Sequence, residues 1–92
     1  MSDTKMQFYL GRLLATPGAL EALTQRDIHR ALSRHSLCDW GDLDPEDKQA
    51  NDDALKHGDR LLSAYHGQNQ TKFWIITEAD RSATTVLLPS EY

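Results

Sequence analysis

The chain reads as one α+β domain: an N-terminal strand, two to three short helices, then a three-stranded antiparallel β-meander packed against the helices. Three observations carry this expectation. Two helix starts, Thr16-Pro17 and Asp44-Pro45, fall in the first half; in each, a side chain able to cap free N–H groups precedes a proline whose fixed φ suits the first helical turn. The last third holds three runs rich in branched and aromatic residues, RLLSAYH, KFWIIT and SATTVLL, separated by GQNQT and EADR, the pattern of consecutive strands and turns. A length of 92 residues leaves room for one core, so residues 1–92 are expected to form a single domain.

In chain order, QFYLGRLL (Gln7 to Leu14) is apolar and aromatic without helical spacing, and predicts a strand with Gly11 as a close-approach or bulge point. Thr16 and Pro17 open a short helix that runs through Leu23. Thr24 with Asp27 three residues on forms a capping box, and Leu23 and Ile28 occupy the positions of a hydrophobic staple, so a second helix begins there. Its inner face is Ile28, Ala31, Leu32 and His35. SLCDWGDL has no period and contains Gly41, which predicts a loop with Trp40 folded inward as an anchor.

Asp44-Pro45 then starts a third helix to about His57, with Glu46 and Asp47 in its first turn and Gly58 ending it. Ala50, Ala54 and Leu55 are its whole apolar stripe, so it is expected to pack shallowly and leave an acidic face in water. In the meander, the pairs Leu61-Leu62, Ile75-Ile76 and Leu87-Leu88 blur the alternation and predict a sheet partly covered on both faces. The helices cover one face, and a second copy of the chain is an expected cover for the other, giving a homodimer. Pro89 ends the last strand.

Composition, 39% hydrophobic and 26% charged, is ordinary for a globular domain. No apolar run reaches the about 18 residues of a spanning helix, and MSDTKMQF lacks the order of a signal peptide, so a cytoplasmic protein without membrane contact is expected. Cys38 stands alone, which rules out an intrachain disulfide. Net charge is −4, and Asp39, Asp42, Asp44, Glu46, Asp47, Asp52 and Asp53 make half of the 14 acids. Such a surface repels phosphate backbones; a basic protein partner is the expected ligand, and direct nucleic-acid binding is not.

No glycine-rich phosphate loop, HExxH, paired CxxC or GxSxG is present. Three weaker constellations remain. His35 and Cys38, with Asp39 or Asp42, have the spacing to begin a metal site, but soft-ligand sites normally show two matched pairs, and a half-buried histidine beside a buried thiol explains them better. Asp42, Asp44, Glu46 and Asp53 fall at calcium-loop offsets, but Asp47 stands where such a loop needs glycine and Pro45 starts a helix inside it; capping explains these acids. No metal or cofactor is therefore expected. His66, Glu78, Asp80 and Arg81 lie at strand ends or turns, and a histidine, a carboxylate and an arginine are the base, acid and phosphate clamp of a metal-independent ribonuclease. The plainer reading is turn chemistry, with Asp80 bonding its own backbone and Arg81 pairing with a nearby carboxylate. Trp74 and Tyr65 have the faces to stack bases, but aromatics on adjacent strands are usually cross-strand core pairs.

LGRLLATPGALEAL, HSLCDWGDLDPEDKQANDDALKHGDRLLSAYH and KFWIITEADRSATTVLLPSEY, which together span nearly the whole chain, resemble an uncharacterised family of small proteins encoded on bacterial plasmids and integrative elements. Some members carry the label plasmid-related protein or type I restriction subunit M. A methyltransferase needs a doubly wound sheet, a glycine-rich turn and an amino-binding N-P-P-[FY] type motif, which this chain lacks. The resemblance thus implies a mobile-element setting and brings no catalytic residues. The expected function is that of a non-enzymatic accessory protein binding a protein partner through Asp39, Asp42, Asp44, Glu46, Asp47, Asp52 and Asp53. The alternatives are a barnase-like or RelE-like ribonuclease toxin using His66, Glu78 and Arg81, and a DNA mimic that inhibits a defence nuclease.

Overall fold

A computed structural model describes residues 6–92. The elements are β1 (Arg12–Ala15), α1 (Pro17–Ala22), α2 (Gln25–Ser36), α3 (Pro45–His57), β2 (Leu61–His66), β3 (Lys72–Thr77) and β4 (Ala83–Leu87), then a 3₁₀ turn at Pro89–Glu91. The helix starts form as the sequence predicts. Thr16 and Asp44 accept from the N–H groups of Ala19 and Asp47, Thr24 and Asp27 close a capping box, and Gly58 ends α3 in the left-handed conformation. None of the described helices is long and apolar enough to cross a membrane.

The meander β2-β3-β4 is antiparallel throughout, but the sheet is larger than the expected three antiparallel strands. It has four strands in the order β1-β4-β3-β2, and β1 lies parallel to β4, with Arg12 opposite Ala83 and Ala15 opposite Val86, so the sheet is mixed. Local patterning predicts β1 as a strand and says nothing about its partner, because the three intervening helices decide which sheet edge it reaches. β1 is also shorter than the expected Gln7 to Leu14. Gly11 has φ +67°, and a Cβ there would collide with the backbone of Arg81 and Ser82. This left-handed residue ends the pairing, and the preceding residues form an arm held by Gln7 N–H to Ser36 O at 2.8 Å.

Strand alternation sorts the sheet into two faces. Tyr65, Phe73, Ile75 and Val86 point to α1 and α2 and join Ala19, Leu23 and Ala31 in the main core. Tyr65 and Phe73 are cross-strand partners with ring centroids 5.9 Å apart; they are core, as the plainer reading of Tyr65 holds. A second cluster of Trp40, Ala54 and Leu61, flanked by Phe8, Cys38, Leu43 and Leu55, joins α3 to the margin of the sheet. Trp40 is folded inward as expected, and its indole N–H donates to Asp52 at 3.0 Å.

α3 is fixed by more than its thin apolar stripe. Ala50 is exposed, while Asn51, which the stripe argument overlooks, is buried. Its side-chain amide donates to Leu62 O at 2.6 Å, and its carbonyl accepts from Leu62 N–H at 3.1 Å, so one side chain stands in for a neighbouring strand. Residues 40–42 complete that edge: Ala64 N–H reaches Trp40 O at 3.1 Å and Asp42 N–H reaches Ala64 O at 2.7 Å. Gly41 permits this, with φ +78° and a position where a Cβ would overlap Ala64 O.

Candidate functional site

The second face of the sheet and the first turns of α3 enclose a cleft of about 520 Å³. Asp42, Asp44 and Asp47 stand on its acidic rim, Leu62, Ala64 and Trp74 form its floor, and Lys72 closes one side. Each wall follows from a local rule. Asp44 is there because it caps α3, accepting from Asp47 N–H at 2.9 Å, and Asp47 follows in the first turn, where the helix dipole favours negative charge. Asp42 is carried by the strip pinned to Ala64. Trp74 alternates away from the main core on β3 and is only partly covered, in edge contact with Tyr92 at 5.6 Å.

The seven clustered acids do not form one free surface. Asp39 is bound by the Arg34 guanidinium through Nε at 2.7 Å and a second nitrogen at 3.2 Å, and this bond holds its carboxyl below the usual range. Asp42 meets His66 Nδ1 at 2.6 Å, Asp52 accepts from Trp40, and Asp53 accepts from Gln49 at 3.1 Å. Among the described residues, only the Glu46 and Asp47 carboxylates have no hydrogen-bond or ion-pair partner in this group; of these two, Asp47 lines the cleft.

The ribonuclease constellation is dispersed. His66 pairs with Lys72 at one end of the β2-β3 ladder, whereas Glu78 follows Thr77, which pairs with Leu61 at the other end. Five residues of extended strand separate them by about 17 Å. Glu78 lies 4.0 Å from Arg60, and Asp80 accepts from Ser82 N–H at 3.0 Å, which is turn chemistry. Arg81, with φ +61°, pairs with carbonyls rather than a carboxylate. It donates to Asp59 O at 2.6 Å, Glu78 O at 3.1 Å and Ala79 O at 3.3 Å, clamping the β3-β4 turn to the α3-β2 loop. Arg81 is thus occupied by backbone carbonyls rather than standing as the expected phosphate clamp.

His35 and Cys38 also part company. His35 is fully buried, not half-buried, and is the hub of a polar chain through the core. Its Nδ1 meets Ser63 Oγ, its Nε2 lies 2.9 Å from Thr77 Oγ1, Thr77 Oγ1 is 2.8 Å from Thr84 Oγ1, and Thr84 donates to Leu10 O at 2.6 Å. Each hydroxyl has one proton, so the order is fixed. Thr84 spends its proton on Leu10, Thr77 donates to Thr84, and His35 donates to Thr77 from Nε2. Ser63 then donates to Nδ1, and the neutral ring satisfies every group. Phe8 and Trp40 meet the ring edge-on at 5.3 and 5.7 Å. Burial, with the charge of Arg81 adding to it, lowers the His35 pKa to about 4. Cys38 lies in the Trp40 cluster, where burial raises its thiol pKa. Among the described residues no three His, Cys, Asp or Glu side chains gather as a metal-binding group. Asp42, Asp44 and Asp53 of the calcium-loop spacing are held separately by His66, the α3 cap and Gln49.

Sequence reasoning missed one further surface. Arg26, Arg30 and Arg34 recur every four residues along the exposed side of α2 and line a shallow groove with His29. The spacing itself was the available signal. The molecule therefore separates its charges, with basic groups on α2 and acidic groups around α3. Comparison with protein families, with curated proteins and with solved structures finds no match to this chain.

Proposed function

We propose that this chain is a non-enzymatic accessory protein that holds a basic segment of a partner protein in the cleft beside α3, and that it serves a mobile genetic element. The setting comes from the family resemblance. One observation supports the binding mode above others: Asp47, whose carboxylate has no partner among the described residues, lines one cleft with Asp42, Asp44 and the partly exposed indole of Trp74. An aromatic face beside carboxylates suits a lysine or arginine side chain, which gains a cation–π contact and ion pairing in one place. Lys72 also lines the cleft, which limits the site to one or a few cations.

The dispersal of His66, Glu78 and Arg81 weighs against the ribonuclease reading. The internal pairing of Asp39, Asp42, Asp52 and Asp53 weighs against a DNA mimic, which needs an unpaired row of charge. Titration with lysine- and arginine-bearing peptides, followed by tryptophan fluorescence with a Trp74→Phe control, tests the proposal. Reversal at Asp44→Lys and Asp47→Lys is expected to weaken binding at least 10-fold, while Asp53→Lys, outside the cleft, leaves it within about 2-fold. Equal binding by both variants, or by uncharged peptides, rejects the cleft as the site.

A further inference from the structure

β1 has one edge on β4 and one edge open. Arg12 N–H bonds Ser82 O and Thr16 N–H bonds Val86 O, and the parallel register places Leu14 in the same inward series. Leu13 and Ala15 therefore turn their N–H and C=O groups away from the sheet, and no described residue bonds them. Edge strands are commonly blunted by lysine, proline or a bulge. This one instead presents Leu13 at 57% and Leu14 at 42% exposure, and the helix that follows leaves Leu20 exposed.

We propose that β1 pairs antiparallel with β1 of a second copy across a two-fold axis at Leu14, joining two sheets into one. The register follows from the outward groups. Hydrogen-bonded pairs must be made between Leu13 and Ala15, because the other residues of the strand face β4. Leu13 opposite Leu13 would draw the left-handed Gly11 into the ladder, and Ala15 opposite Ala15 would call on Pro17, which has no N–H. Leu13 opposite Ala15 of the second copy keeps every pair inside the strand. It sets the two Leu14 side chains against each other at a non-hydrogen-bonded position, where cross-strand contact is closest.

Charge agrees with this register. Arg12 of each copy falls opposite Thr16 of the other, and the Thr16 hydroxyl is bonded to the Glu91 carboxylate. That carboxylate also accepts from Gly18 N–H at 3.1 Å and Leu88 N–H at 2.9 Å, but has no cationic partner among the described residues. The Arg12 guanidinium likewise has no partner among the described residues. The two-fold brings them together twice, and being closed, it leaves no free edge at β1 for further growth.

Light scattering across a concentration series and cysteine crosslinking in a Cys38→Ser background test the proposal. The parent chain is expected to be a dimer at tens of micromolar. Leu14→Asp, whose folding is checked by circular dichroism, is expected to weaken dimerisation at least 10-fold, and Arg12→Glu to weaken it several-fold, with the loss reproduced by added salt. Leu14→Cys is expected to crosslink two copies under mild oxidation, since the proposed pair has disulfide geometry, whereas Leu13→Cys crosslinks far more slowly. A parent chain that stays monomeric at several hundred micromolar overturns the proposal, as does a dimer in which Leu14→Cys fails to crosslink.

Discussion

The two edges of the sheet are treated in opposite ways. At β2, backbone from residues 40–42 and the single side chain of Asn51 occupy the open groups of Ala64 and Leu62. At β1, the corresponding groups of Leu13 and Ala15 meet no described residue, and leucines stand beside them. Edge protection is therefore not a property of strand composition. β1 (RLLA) and β2 (LLSAYH) are both mostly apolar, and β2 is the covered one because a glycine and an amide are delivered there by the chain that precedes it. The covered edge also carries the acid-rimmed cleft, so the residues that seal β2 are the ones that shape the proposed binding site.

The contrast is broken most severely at Gly41. Gly41→Ala places a methyl on Ala64 O and forces an unfavourable φ, and is expected to cost about 3 kcal/mol or more in urea unfolding, with Asp42 displaced from the cleft. A change of similar size needs no mutation. His35 keeps a pKa of about 4 when folded, against about 6.5 when unfolded. Between these values the unfolded chain binds the extra proton, so stability is complete above pH 6.5 and falls as pH drops through the window. The expected loss at pH 4.5 is about 2 to 3 kcal/mol from this residue. An imidazole NMR titration that finds His35 charged at pH 6 in the folded protein contradicts it.

Asn51→Ala leaves Leu62 N–H and O without their partner at the covered edge and is expected to cost about 2 kcal/mol. Asn51→Asp keeps the acceptor for Leu62 N–H but sets a buried carboxylate oxygen against Leu62 O, two acceptors in contact, so it should cost at least as much near neutral pH. The smallest effect is expected at the open edge. Leu14→Asp should cost the monomer no more than about 1 kcal/mol, because Leu14 is 42% exposed and outside the buried core, yet it should weaken self-association at least 10-fold. If Leu14→Asp and Asn51→Ala destabilise the monomer equally, the two edges do not differ as described.

Much of the fold was legible because it is written in local chemistry. The caps at Thr16, Thr24 and Asp44, the stop at Gly58, the inward Trp40 and the three meander strands all depend on residues a few positions apart. The site was less legible. The acid run suggested one continuous docking surface, but helix geometry and distant partners divide it, sending Asp39 to Arg34, Asp52 to Trp40 and Asp42 to His66. The thin apolar stripe of α3 passed over Asn51, and Arg81 read as a phosphate clamp or as the partner of a nearby carboxylate; both are bound to backbone elsewhere in the chain.

The sequence by itself determined the helices, their limits, the meander and the imbalance of charge, since capping, φ preferences and residue alternation act over one or two turns. Only the tertiary structure decided that β1 joins β4 in parallel, that His35 is the hub of a buried polar chain, and that Trp74 shares a cleft with three carboxylates. Those outcomes depend on which groups, tens of residues apart, are left to satisfy one another once water is excluded, and no local rule carries that information.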